Sequence, residues 1–343
     1  MHLLYYPLVV PGGVSSMIPS WISQQRRMGI HSSWISPTFD PKNVASSEFL
    51  IKYSRQLDGL SIAPDTILHA HHPLTALAAH FWRISHRETF PIVLTIHGWN
   101  DVVESEMRLA LKHADAVVAV SRWVANTVHS QISNIHPWMI YNGVDLQRFY
   151  PAPPPDITKK VHVITVARLV KGKGIDTVLK IASLLNKRSI PFAWRIVGDG
   201  PERERLASWS RVRSLQNQVQ FIGWSASPEK YLQKSHIFVL PSHHEAFGNA
   251  FVEANLCGLP TIGPDLEGIP EHLHHGRVGF LTKPNDISAT ARAIQRFYEA
   301  PALWYRMRMQ AIFEAQQFSV AQSMRHYLEL YCTIRRRQPL LAQ

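Results

Sequence analysis

Two carboxylates stand eight residues apart, Glu245 and Glu253, in the stretch HEAFGNAFVEA (244–254). A core helix gains nothing from burying either one, so their presence asks for a ligand. The run from Ala246 to Cys257 reads as a helix that Gly258 stops. Glu245 would then lie just before the helix and Glu253 about two turns inside it. The backbone N–H groups of Phe247, Gly248 and Asn249 at the helix start suit an anion, because the first N–H groups of a helix have no intrahelical acceptor. Glu245 can accept hydrogen bonds from sugar hydroxyls and Glu253 from a ribose. A polyhydroxyl ligand carrying a diphosphate would satisfy all three features together. The plainer alternative is a pair of carboxylates that only cap a helix.

Two further loops offer groups for the same ligand. ARLVKGKG (167–174) sets the planar fork of Arg168 five residues from the point charge of Lys173. That pairing suits a diphosphate, though a solvated basic loop would look the same. PGGVSS (11–16) follows an apolar run, and Gly12 and Gly13 would let a ligand approach the backbone; an ordinary tight turn is the competing reading. GDGP (198–201) reads as a structural turn into a helix. YNGVDLQRFYP (141–151) contains Asn-Gly, which marks a turn with positive φ where two domains would hinge.

These loops need strands and helices to position them. HLLYYPLVV, TILHAHH, PIVLTIHG, AVVAVS and WMIYNGV read as short strands, separated by helices such as LTALAAHFWRISH and SEMRLALKHA. After PAPPPD (151–156), a stiff connector, the alternation restarts. VHVITVARL, AWRIVGDG, VQFIGW, HIFVLPS and PTIGPD read as strands, with helices at 175–185, at 201–209 and from Asp286 to Tyr298. Strands alternating with helices predict βαβ units and parallel sheets. The expectation is an N-terminal Rossmann-like domain over 1–150 and a second over 151–317, with a returning helix at about 318–335.

The chain of 343 residues is 45% hydrophobic and 18% charged, enough to fill two cores. Its net charge of +11 is unevenly spread: residues 1–150 carry 11 Lys+Arg against 10 Asp+Glu, and residues 151–343 carry 25 against 15. A basic second half favours an anionic partner. Cys257 and Cys332 have no paired spacing, which excludes a disulfide scaffold and points to a reducing, cytoplasmic setting. The opening HLLYYPLVV lacks a basic start and a cleavage site and reads as a buried strand, not a signal. Histidines cluster in HAHH (69–72) and EHLHH (271–275), but neither is HExxH, and no metal or other cofactor is expected. Met17, Ile18, Trp21 and Ile22 lie near Arg26 and Arg27 in a helical pattern that would suit weak peripheral membrane contact; packing on a sheet explains them more cheaply.

The ordered set of these motifs resembles the retaining glycosyltransferases of family 4, glycosyl transferases group 1. The match runs nearly end to end, from PGGVSS through YNGVDLQRF, ARLVKGKG and HEAFGNAFVEA to FSVAQSMRHYLELY (318–331). The resemblance implies the GT-B fold: α/β, two tandem Rossmann-like doubly wound parallel-sheet domains with a cleft between them. It implies a nucleotide-sugar donor held mainly by the second domain and a hydroxyl acceptor, a glycan or glycolipid, held mainly by the first. Arg168 and Lys173 fall to the diphosphate, Glu253 to the ribose and Glu245 to the donor sugar. His97, in TIHG, matches a histidine that faces that sugar. One departure stands out: the usual paired glycine reads Glu267-Gly268, so a carboxylate beside the expected diphosphate must turn away or be paired. Two rival classes are a nucleic-acid-binding protein, suggested by the basic half and Arg335 to Arg337, and a sugar-nucleotide epimerase or hydrolase on the same fold.

Overall fold

The computed structural model describes residues 2–4, 13–35, 45–59, 66–98 and 104–337. The chain divides into two compact units, residues 1–143 with 320–343, and residues 144–319. In the first unit β1 (His2–Leu4), α1 (Gly13–Arg27), β2 (Ser33–Ile35), α2 (Ser46–Leu57), β3 (Leu68–Ala70), α3 (Pro73–Ser85), β4 (Ile92–Ile96), α4 (Glu104–His113), β5 (Ala116–Ala119), α5 (Arg122–Gln131) and β6 (Trp138–Met139) follow one another. Their strands lie in the order β2-β1-β3-β4-β5-β6, all parallel. The continuous apolar run of β4, IVLTI, is buried at every position, as expected for a parallel strand covered on both faces. Met17, Ile18 and Trp21 of α1 are buried, so packing, not a membrane face, accounts for its apolar stripe. Among the described residues no helix is long and apolar enough to cross a membrane.

The second unit repeats the plan with β7 (Val161–Val166), α6 (Ile175–Lys187), β8 (Phe192–Val197), α7 (Arg203–Val212), β9 (Val219–Gly223), α8 (Glu229–Leu232), β10 (Ile237–Val239), α9 (Asn249–Leu256), β11 (Thr261–Pro264), β12 (Gly279–Thr282), α10 (Ile287–Glu299) and α11 (Pro301–Ala315). Its parallel order is β12-β11-β10-β7-β8-β9. β12 and α11 were not anticipated from sequence, because GFLT is too short to show a period. The final helix, α12 (Val320–Arg337), returns to the first unit. Val320, Met324, Tyr327, Tyr331 and Ile334 recur at helical spacing and pack with Met17, Trp21, Ile67, Val93 and Val118. Each such side chain contributes roughly 1.5–3 kcal/mol on full burial.

The structure revises the expectations about the junction. The units change over at Gly143/Val144 and not at residue 150. PAPPPD is also tied down: Arg308 donates to the Ala152 carbonyl at 2.7 Å and His236 Nε2 donates to the Pro155 carbonyl at 2.8 Å, which fastens the segment to the second unit. Nor does Asn-Gly adopt positive φ at Gly143, which is absent from the glycines of that conformation. Glycine is needed there for another reason. A Cβ at Gly143 would lie 2.5 Å from the Val320 Cα, where α12 crosses against the chain.

Because that neighbour is backbone and cannot swing aside, Gly143→Ala is expected to cost roughly 2 kcal/mol or more. Gly172→Ala, where the added carbon meets nothing within 4 Å, serves as the control. Urea unfolding should show a lower midpoint for the first variant only; equal midpoints would contradict the close approach.

Candidate active site

In an open parallel sheet, ligands bind beyond the carboxyl ends of the strands where the strand order reverses. In the second unit that point lies between β7 and β10, since β8 and β9 continue to one side and β11 and β12 to the other. The loop after β7 carries Arg168 and Lys173, and the loop after β10 carries Glu245. The two loops are tied directly. Lys173 Nζ donates to Glu245 Oε1 at 2.6 Å across 72 residues of sequence, and the His243 amide donates to the Gly172 carbonyl at 2.9 Å. Ser242 Oγ donates to the same Glu245 oxygen at 3.1 Å. Glu245 Oε2 has no hydrogen-bond partner among the described residues and remains available to a hydroxyl.

Arg168 is positioned by GDGP, the structural turn after β8. The Leu169 amide donates to the Asp199 carbonyl at 2.9 Å and the Glu202 amide to the Leu169 carbonyl at 3.0 Å, which sews the segment after β7 to GDG after β8. Leu169 is fully buried, while Arg168 is half-buried and its guanidinium meets no partner among the described residues. A cation held on a fixed backbone and left without a carboxylate suits an anionic ligand.

The Glu245 turn is fixed from its other side by Glu267. Its carboxylate accepts from the Glu245 amide at 2.5 Å and pairs with His244 Nδ1 at 2.9 Å. The departure from the glycine pair thus resolves as a paired carboxylate. Glu267 has φ of 48°, a conformation that glycine adopts freely and that costs other residues roughly 1 kcal/mol or more.

Helix α9 is shorter than the sequence suggested. It starts at Asn249, so Glu245 lies four residues before it and Glu253 only about one turn inside, correcting the expected two turns. Gly248 begins it in the left-handed region, with φ of 81° and ψ of 58°, a conformation that glycine adopts without steric cost. Phe247 is a core residue, its ring packed on His272 and Phe318 at 5.2 and 5.6 Å, so only its backbone can serve a ligand. His272 Nε2 donates to the Phe247 carbonyl at 2.5 Å, giving one of the EHLHH histidines a structural task. His274 pairs with Glu314 at 2.6 Å, and His275 Nδ1 accepts from the Leu281 amide at 3.1 Å.

Glu253 is set apart from Glu245. Burial pushes its carboxyl up to about 7, opposed by the positive charge of Arg148 and reinforced by the negative charge of Glu229. Arg148 in turn donates to Glu229 at 3.0 Å. Arg148 stands in YNGVDLQRF with no local signal of this interaction; only folding brings it to bear on Glu253.

In the first unit the reversal of strand order lies between β1 and β3. Gly13 is the first residue of α1; Gly12 lies outside the described residues. His97 follows β4, and its Nε2 is 2.9 Å from His71 Nδ1.

A model of Glycosyltransferase Family 4 matches residues 11–148 and one of Glycosyl transferases group 1 matches residues 148–317. The chain belongs to the group 1 glycosyl transferases. It is similar to the N-acetyl-alpha-D-glucosaminyl L-malate synthase of Bacillus anthracis, 28% identical over 247 residues that cover 67% of this chain and 64% of that protein. Matches to four curated relatives span between 36% and 64% of those proteins' own length. Among solved structures, sucrose-phosphate synthase of Thermosynechococcus elongatus superposes with a TM-score of 0.80 at 19% identity, over 97% of this chain and 99% of that one. Anabaena HepE in complex with UDP and glucose gives 0.77 at 19% identity, over 96% and 99%. At these identities the likeness is one of fold, and this group 1 transferase has the GT-B fold.

The raised Glu253 carboxyl predicts a pH-dependent stability. Between pH 4.5 and about 7 the unfolded chain is ionised at this residue while the folded one is not, so stability falls as pH rises through that window. Glu253→Gln should therefore raise Tm above that of the native protein at pH 8 and lose this advantage below pH 4.5. Differential scanning fluorimetry across that range measures it; an advantage independent of pH would count against the buried carboxylate.

Proposed function

We propose that this chain transfers a sugar from a nucleoside-diphosphate sugar to a hydroxyl acceptor, with retention at the anomeric carbon. The observation that carries the reading is the 2.6 Å contact of Lys173 with Glu245, which sets a cation for the leaving group beside a carboxylate for the sugar at the reversal of strand order. UDP and glucose held by Anabaena HepE and the N-acetylglucosaminyl name of the Bacillus anthracis relative support a uridine donor and an amino sugar as the first pair to test. The acceptor is a glycan or glycolipid hydroxyl, in polysaccharide or glycoconjugate biosynthesis, and the site needs no metal.

In this reading the bond from the anomeric carbon to the diphosphate oxygen breaks while a bond to the acceptor oxygen forms on the same face. Positive charge builds on the ring and negative charge on the diphosphate. Arg168, Lys173 and the amides at 247–249 stabilise the latter where it develops, so they lower the barrier and do not merely tighten binding. Lys173 keeps two of its three N–H donors for phosphate oxygens. The acceptor's proton passes to the departing phosphate oxygen, so neither glutamate acts as a nucleophile. Glu245 orients the sugar and Glu253, with Arg148 behind it, the ribose.

A thermal-shift panel of UDP-, GDP- and ADP-sugars identifies the donor by the stabilisation that binding confers, and NMR of the product reads the anomeric configuration. Arg168→Ala and Lys173→Ala should each lower kcat/KM by about tenfold or more with folding intact. Unchanged turnover would remove these residues from the mechanism. Release of free sugar or an epimer without any dependence on acceptor would instead indicate the hydrolase or epimerase reading.

A further inference from the structure

In the first unit three imidazoles form a column at the carboxyl ends of β3 and β4. The His69 and His71 ring centroids lie 4.3 Å apart with planes 29° from parallel, and those of His71 and His97 lie 5.2 Å apart at 27°. The column is anchored at one end. His69 Nδ1 is 2.7 Å from the Tyr331 hydroxyl of α12, and its Nε2 is 2.7 Å from Thr95 Oγ1, which lies 3.1 Å from the Tyr327 hydroxyl. At the other end His71 Nε2 and His97 Nδ1 are buried and have no hydrogen-bond partner among the described residues.

Burial lowers the proton affinity of all three rings, His69 and His97 to about 3 and His71 well below its ordinary value. At neutral pH each ring therefore carries one N–H and no charge. A neutral pair sharing one hydrogen bond has two arrangements. If His71 donates from Nδ1, its Nε2 is a bare acceptor and the His97 proton sits on Nδ1. If His97 donates from Nε2, its Nδ1 is bare and the His71 proton sits on Nε2. The second arrangement strands an N–H on the ring buried to 7% exposure, where an unmet donor is costly. The indole N–H of Trp21, which has no partner among the described residues and whose ring is 5.3 Å from His71, also favours an acceptor there over a second donor. The first arrangement places the unmet N–H on His97, the less buried of the two residues.

We propose that His71 is a positioning residue: by donating from Nδ1 it fixes His97 as the Nδ1–H tautomer, so that His97 presents a hydrogen-bond donor to a substrate oxygen at the carboxyl ends of the first unit's strands. Tyr331, through His69, steadies the stack from the returning helix. The catalytic consequence rests on the transferase reading above; the tautomer does not.

Two measurements on the intact chain separate these. With 15N-labelled histidine, long-range proton–nitrogen correlation reads the tautomer of each ring, His97 being assigned by loss of its signals in His97→Asn. Native protein should show His97 protonated at Nδ1, and His71→Phe, which keeps a ring in the stack but removes the donor, should abolish that preference. Protonation of His97 at Nε2 in the native protein would overturn the proposal whether or not any sugar is transferred. In the transfer assay, His71→Phe should lower kcat by about tenfold or more while the donor KM stays within about threefold. His71→Asn, whose side-chain amide restores a donor near the Nδ1 position, should recover most of the lost kcat. A Phe variant as active as the native protein, or an Asn variant no better than Phe, would refute the positioning role.

Discussion

The contact that most of the second unit serves is the ion pair between Lys173 and Glu245. It joins the ends of two strands that are neighbours in space and far apart in sequence, and it does so where a doubly wound sheet opens. An exposed pair of this kind would contribute little. Here both side chains are mostly shielded and the surrounding backbone is bonded on each side. The Gly172 carbonyl receives the His243 amide, the Gly268 amide donates to the Glu245 carbonyl, and Glu267 receives the Glu245 amide. The pair is thus held by its loops and does not have to hold them.

That rigidity has a chemical meaning. Groups that stabilise charge as it develops must already point to where it will appear, because reorienting them during the reaction would consume the gain. For the proposed transfer the fold would meet this need with main-chain bonds: GDG fixes the Arg168 segment, Gly248 sets the start of α9, and a carboxylate at residue 267 braces the Glu245 turn despite an unfavourable φ. The two glutamates are also differentiated by their surroundings. Glu245 accepts from a lysine and a serine, whereas Glu253 is desolvated and raised to about 7. Two residues identical in sequence terms therefore stand in different surroundings.

The first unit uses burial differently. Its three stacked histidines are kept neutral by desolvation, so they act through the direction of their N–H bonds and not through charge. Tyr327 and Tyr331 on α12 close the column from behind, which gives the returning helix a role beyond filling the core with Met324, Leu330 and Ile334.

Much of this was legible in the sequence. Apolar runs separated by amphipathic stretches specified parallel sheets, since only strands buried on both faces need IVLTI or VHVITV. The order of motifs specified Arg168, Lys173, Glu245 and Glu253 as site candidates, because side-chain type and chain order survive in a string. Three things did not. The start of α9 depended on Gly248 adopting a left-handed turn, which apolar periodicity does not encode. Gly143 was needed for the approach of Val320, 177 residues further along, and no local rule for Asn-Gly anticipates a distant backbone. The importance of Arg148, Asp199 and His71 likewise arose from neighbours remote in sequence. A sequence determines which chemistry each position can supply and which segments must bury their faces; desolvation, hydrogen-bond partnership and tautomer are properties of three-dimensional surroundings, and tertiary packing alone decides them.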